Sequence, residues 1–206
     1  MRPAQAFLND VDVSRETIER LEAFEALLRR WNAAINLVSK TTLDDVWTRH
    51  FLDSAQVAAL SSSASHWADL GSGGGFPGLV VAVIYKEKSP ETRFSLVESD
   101  ARKSAFLATV IRDLDLKAQV IAKRIEATEP LRADVVSARA LAPLATLCGY
   151  AARHLADGGR AVFLKGANHR EEIAEARKLW QFECQLHPSV SDPTGVILCI
   201  ENIQHV

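Results

Sequence analysis

The chain has 206 residues, 48% of them apolar and 24% charged, with a formal net charge of −2. That size fits one domain with a short accessory segment, and the near-neutral balance excludes a strongly basic nucleic-acid module while leaving room for a local basic patch. Cys148, Cys184 and Cys199 form no Cys-x-x-Cys pair, which argues against a disulfide framework or a metal site and for buried thiols in a reducing compartment. With no apolar run of signal-peptide or membrane-spanning length, the protein is expected to be cytoplasmic and free of membranes.

In chain order, Ile18, Leu21, Phe24, Leu28, Trp31 and Ile35 step by three or four and predict an amphipathic helix capped by Ser14. A second helix is expected from Thr42, where Thr42-x-x-Asp45 resembles a capping box, through Trp47 and Phe51 towards Val57. Ser61–Ser65 reads as a linker. Beyond it, strands and helices alternate. Strands are expected at His66–Leu70, Arg93–Glu98, Ala118–Ala122, Ala133–Ala138 and Arg160–Lys165. The helices between them cover Leu79–Tyr85, a stretch capped by Asp100, and Pro143–Ala156, the last ended by Asp157-Gly158-Gly159. A polar helix at His169–Trp180 precedes two last strands, Phe182–Leu186 and Gly195–Ile200.

This alternation predicts an α/β fold, a Rossmann-like and mostly parallel seven-stranded sheet covered on both faces. The last two strands are joined by a short loop with Pro188, Pro193 and Gly195 and no helix, which suits an antiparallel hairpin. A parallel sheet ending in such a hairpin is the usual layout of class I methyltransferases. Residues 1–65 are expected to form a helical extension packed on the same domain, and 66–206 the cofactor-binding domain.

The turn after the first strand, Gly71-Ser72-Gly73-Gly74-Gly75-Phe76-Pro77-Gly78, carries five glycines in eight residues. Such a turn lets a ligand approach the main chain at the carboxyl end of a strand. Gly73-x-Gly75-x-x-Gly78 also satisfies the dinucleotide pattern, with Glu98 at about the spacing of a ribose-binding acid. A nicotinamide or flavin site and a ligand-free tight turn therefore stand beside S-adenosylmethionine. Asp69 favours S-adenosylmethionine, because an acid at the strand end suits an ammonium group better than a pyrophosphate. Glu98 points to a ribose without saying which.

From Trp31 onward the chain closely resembles the bacterial 16S ribosomal RNA guanine-N7 methyltransferases, the glucose-inhibited division protein B family. The matching segments are Trp31-Asn32, Asn36-Leu37-Val38, Arg49-His50-Phe51-Leu52-Asp53-Ser54, Asp69–Gly78, Glu98–Leu107, Arg124-Ile125-Glu126, Ser137-Ala138-Arg139-Ala140 and Leu164-Lys165-Gly166. The resemblance implies S-adenosyl-L-methionine as cofactor and 16S ribosomal RNA, free or in a small-subunit particle, as partner. It implies methylation of guanine N7. Separately, the protein is expected to be a monomer. It places cofactor contacts at Gly71, Phe76, Ile125, Glu126 and Arg139, to which the reading of the turn adds Gly73 and Glu98. Arg139 would stand between cofactor and guanine.

Guanine N7 carries a free lone pair, so no general base and no metal is expected, and Arg139 is the nearest candidate for a catalytic role. Lys165, Arg49, His50 and Arg139 are the candidate RNA contacts. The last strand, Gly195–Asn202, has no Lys or Arg, which weakens any role for it in gripping RNA. A methyltransferase of another substrate and a non-enzymatic RNA-binding assembly factor are the competing readings. The intact glycine turn argues against the second.

Overall fold

A computed structural model describes residues 3–61 and 64–206. Met1, Arg2 and positions 62 and 63 of the expected serine linker lie outside the described residues. Helix α1 (Pro3–Asp10) leads to α2 (Arg15–Asn32), whose cap is Ser14, its side chain accepting from the Thr17 amide. Its apolar stripe, Ile18, Leu21, Phe24 and Leu28, is buried as the period requires.

The second expected helix is broken into three pieces. Ser39, not Thr42, caps the four-residue α3 (Lys40–Leu43). A π-helical segment, Trp47–Leu52, then runs straight into α4 (Asp53–Ala59). The π turn buries Trp47, His50, Phe51 and Leu52 together.

The sheet follows the expected alternation: β1 (His66–Leu70), α5 (Gly78–Lys88), β2 (Arg93–Val97), α6 (Ala101–Asp113), β3 (Ala118–Ile121) and β4 (Ala133–Arg139). Next come α7 (Leu144–His154), β5 (Leu155–Lys165), α8 (His169–Ala176), β6 (Trp180–Pro188) and β7 (Val196–His205). The seven strands lie in the order β3-β2-β1-β4-β5-β7-β6. β7 runs antiparallel between β5 and β6, and the other neighbours are parallel. The expected architecture, terminal hairpin included, is the observed one.

Two boundaries differ. Asp157-Gly158-Gly159 does not stop α7, which ends at His154. These residues lie in β5, where Ala133 pairs with Leu155 but Val135 already pairs with Arg160. The extra residues are accommodated as a bulge, with Gly158 at φ 73°. The polar helix stops at Ala176, so Trp180 belongs to β6.

Strand alternation sorts side chains onto two faces. Trp67, Val135, Val162, Leu164, Ile197 and Cys199 face a core with α2, α4, α5 and α6. Ala68, Leu70, Val136, Ala138, Phe163 and Leu198 face a second core with α7 and Ala176 of α8. The helical extension joins the first core through Phe24, which packs on Phe51, Phe76 and Phe106 with ring centroids 5.4, 5.6 and 6.2 Å away. Each such buried ring contributes about 1.5–3 kcal/mol through lost apolar exposure. No described helix is long and apolar enough to cross a membrane.

α5 starts in close quarters. A Cβ on Gly78 would lie 2.7 Å from the Asp69 side chain and 2.7 Å from Leu96 Cδ2. Gly78→Ala should lower stability by about 1–3 kcal/mol through overpacking, read as a lower urea midpoint at unchanged slope.

Candidate active site

The glycine turn leaves β1 at its carboxyl end. Gly71 and Gly73 hold φ of 65° and 51°, the left-handed region that side chains disfavour. A Cβ on Gly71 would strike Leu141 Cδ1 at 2.6 Å, whereas one on Gly73 would meet only the Gly71 carbonyl oxygen, at 3.7 Å. The backbone at Gly73 therefore borders open space. Glu98, just past β2, fastens this turn: its Oε2 accepts from the Gly73 amide at 2.9 Å and its Oε1 from the Asp100 amide at 2.8 Å. Gly71, Gly73, Glu98, Ile125 and Glu126 line one cleft of about 380 Å³, together with Lys103, Lys123, Leu141 and Tyr150. Glu126 accepts a hydrogen bond from the Tyr150 hydroxyl, which holds its carboxyl below the usual range.

Asp69 departs from expectation. Its side chain is fully buried and turned into the fold, away from this cleft. Oδ1 accepts from Ser137 Oγ at 2.7 Å, and Ser137 Oγ in turn accepts from Trp67 Nε1 at 2.8 Å. Burial pushes its pKa up to about 6, against the pull of these hydrogen bonds. The acid thus links β1 to β4 and packs against the start of α5, instead of presenting charge to a ligand.

A second cleft of about 340 Å³ adjoins the first, and Ala140 lines both. Arg139, at the end of β4, dominates it. Arg139 Nη1 donates to Asp53 Oδ2 and to the Arg49 carbonyl oxygen, each at 3.1 Å, and Nη2 donates to His50 Nδ1. Its guanidinium lies over the Phe76 ring, 5.1 Å from the centroid, a cation–π geometry. Burial lowers the Arg139 pKa, and the Asp53 carboxylate opposes that shift.

The His50 ring stacks on Phe76 at 4.8 Å. Burial first, then the charges of Arg139 and Arg49, pull its pKa down to about 3. The ring is therefore neutral. Because Nδ1 accepts from Arg139, the proton sits on Nε2, a buried atom with no partner among the described residues. The unfolded chain takes up a proton near the ordinary value of 6.5. The stability linked to His50 is therefore complete above that pH and lost as the pH falls towards about 3.

The expected residues thus divide between the two clefts. Phe76 lines neither; its ring forms the floor beneath Arg139 and His50. Lys165 lines the second cleft, but its ammonium is engaged, donating to the Ala142 carbonyl at 3.1 Å and pairing with Glu172 Oε2 at 2.5 Å. Arg49 is exposed and pairs with no acid among the described residues. Two residues were not foreseen. Asp53 binds Arg139 across 86 positions of sequence. Asn32 accepts from the Leu37 and Val38 amides at 2.9 and 3.0 Å, holding that segment where the Leu37 carbonyl meets Gly74. Both residues stand in the family segments quoted above, but nothing local to the sequence shows a partner.

The first cleft fits S-adenosylmethionine by its own chemistry. It offers an open backbone at Gly73, a carboxylate at the end of β2 and the apolar sides of Ile125 and Leu141.

Comparison with known proteins follows the same line. The description of the GidB family, rRNA small subunit methyltransferase G, matches residues 17–195. The "Ribosomal RNA small subunit methyltransferase G" of Cereibacter sphaeroides is 52% identical over 203 residues, covering 98% of each chain. Among solved structures, a methyltransferase from Geobacter sulfurreducens has a TM-score of 0.62 at 14% identity, covering 96% of this chain and 94% of that one. M. jannaschii TYW2 in complex with AdoMet has a TM-score of 0.58 at 12% identity, covering 84% and 80%. At these identities the structures speak for the fold alone.

Nitrogen-15 spectra of His50 should show one neutral, Nε2-protonated tautomer from about pH 5 to about pH 8, a range in which an unperturbed imidazole titrates. A titration midpoint inside that range would contradict the burial argument.

Proposed function

The chain belongs to the GidB family, rRNA small subunit methyltransferase G, and on that premise we propose that it transfers a methyl group from S-adenosylmethionine to N7 of a guanine in 16S ribosomal RNA. The observation that carries this reading is the near-full-length identity of 52% to a protein named ribosomal RNA small subunit methyltransferase G. The two adjoining clefts, one suited to the cofactor and one rimmed by arginine, support it.

Gly71 and Gly73 hold the methionine end against bare backbone. Glu98 accepts from the ribose hydroxyls, exchanging one or both of its present amide partners. Ile125 and Glu126 border the adenine. Bound there, S-adenosylmethionine supplies an electrophilic methyl group on sulfur. Phe76 acts indirectly, as the floor that sets the height of Arg139.

Guanine N7 attacks with a lone pair that needs no deprotonation, so the protein has no proton to remove there. Neutral His50 and charged Arg139 are accordingly placed to orient and not to act as bases. The rate comes from holding N7 in line with the methyl group at near-attack distance and from excluding water. In an A-form helix N7 lies in a deep, narrow groove, so the target guanine is single-stranded or extruded into the Arg139 cleft. Exposed Arg49 meets RNA phosphate at the rim. Lys165, paired with Glu172, shapes the wall and reaches RNA only by exchanging that partner.

The reading extends to a monomer acting in the cytoplasm. Thr42, Arg49, His50 and Asp53 of the helical extension then form part of the wall of the Arg139 cleft.

Two measurements test this. Labelled S-adenosylmethionine and under-methylated small-subunit ribosomal RNA should yield label in 7-methylguanosine. Absence of label, or label in another nucleoside, overturns the assignment. Gly73→Val should abolish S-adenosylmethionine binding in calorimetry while the chain stays folded, because the side chain strains the turn and fills the cleft. Normal affinity would remove the cofactor from this cleft.

A further inference from the structure

Asp53 stands where three parts of the chain meet. It opens α4 directly after the π-helical segment, facing both the end of β4 and the loop from β6 to β7. Its Oδ2 accepts from Arg139 Nη1 at 3.1 Å. Its Oδ1 accepts from Ser191 Oγ at 2.9 Å and, more loosely, from Ser189 Oγ at 3.4 Å. One turn further on, Gln56 Oε1 accepts from the Val190 amide at 2.8 Å. One carboxylate therefore holds the arginine with one oxygen and the loop with the other.

The other acceptors of Arg139, His50 Nδ1 and the Arg49 carbonyl, are uncharged. Asp53 is its one anionic partner at ion-pair distance among the described residues. A largely buried guanidinium depends strongly on such a partner, because removing it leaves the charge uncompensated. Ser189, Ser191 and Asp192 line the same cleft as Arg139, so the loop that Asp53 clips is a wall of the substrate cleft.

We propose that Asp53 is a positioning residue for methyl transfer: it holds Arg139 in place at the cleft and, through Ser189 and Ser191, couples that hold to the position of the β6–β7 loop against α4. The proposal rests on the methylation reading for its kinetic part. Asp53 does not touch the reacting atoms. It acts through Arg139.

The test uses the full chain as wild type, Asp53→Asn, Arg139→Ala and the double variant, in single-turnover methyl transfer to under-methylated small-subunit ribosomal RNA. Asp53→Asn should slow transfer by about 10- to 100-fold, the scale of a misplaced orienting group, and leave S-adenosylmethionine affinity within about threefold. In the Arg139→Ala background it should add less than about twofold, because residues acting as one unit are not additive. Full additivity, or an affinity loss equal to the rate loss, overturns the proposal.

Hydrogen exchange supplies a readout independent of activity. Amides of residues 189–195 should exchange faster in Asp53→Asn and in Ser189→Ala/Ser191→Ala, with the sheet amides unchanged. Unchanged loop exchange overturns the coupling. The serine variant decides that point if Asp53→Asn does not fold. A wild type that binds cofactor but leaves the RNA unlabelled overturns the functional reading instead, and the exchange result still decides whether Asp53 clips the loop.

Discussion

A guanidinium taken largely out of water must be surrounded by acceptors, and the arrangement of this molecule around Arg139 follows from that requirement. No single element can supply them. β4 carries the arginine to the edge of the sheet, the π-helical segment brings the Arg49 carbonyl and His50, α4 brings Asp53, and the glycine turn brings the Phe76 face. The break in the expected second helix has its reason here. The π-helical segment places His50 in stacking contact with Phe76 and with Nδ1 towards the arginine, and Asp53 follows at the start of the next regular turn. The ionisation of His50 follows too, since a ring buried beside two arginines stays neutral.

The glycine turn is shaped by crowding on one side and openness on the other. Gly71 and Gly78 are needed because Leu141, Asp69 and Leu96 press against them. Gly73 is needed because its amide must turn towards Glu98 while its α-carbon stays bare. A strand-end acid commonly reads as a ligand contact, yet Asp69 is spent inside the fold on Ser137. The acids that line the cleft are Glu98, one strand away, and Glu126.

Charge around the Arg139 cleft is equally local. The chain is close to neutral, and several of its cations are already paired: Lys165 with Glu172 and Arg160 with Glu201. What distinguishes the mouth is an exposed Arg49 beside an arginine that is held still.

Read along the chain, the residues already specify the α/β alternation, the antiparallel ending, the caps at Ser14 and Asp100, the glycine turn, and Gly71, Gly73, Glu98, Ile125 and Glu126 as neighbours in one cleft. Each of these rests on local signals: period, cap chemistry, glycine spacing and an ordered set of family segments. The structure alone decided where the long helix breaks, that Ser39 and not Thr42 caps α3, that the Asp157–Gly159 run is a bulge inside β5, and that Asp69 turns inward. It also decided that Phe76 is a floor, that Lys165 is engaged and that Asp53 partners Arg139 across 86 residues. Those outcomes depend on contacts between elements far apart in the chain. Periodicity and motif report a residue's neighbours in sequence, whereas burial and partner choice are set only when the sheet brings β4, the helical extension and the last hairpin to one edge.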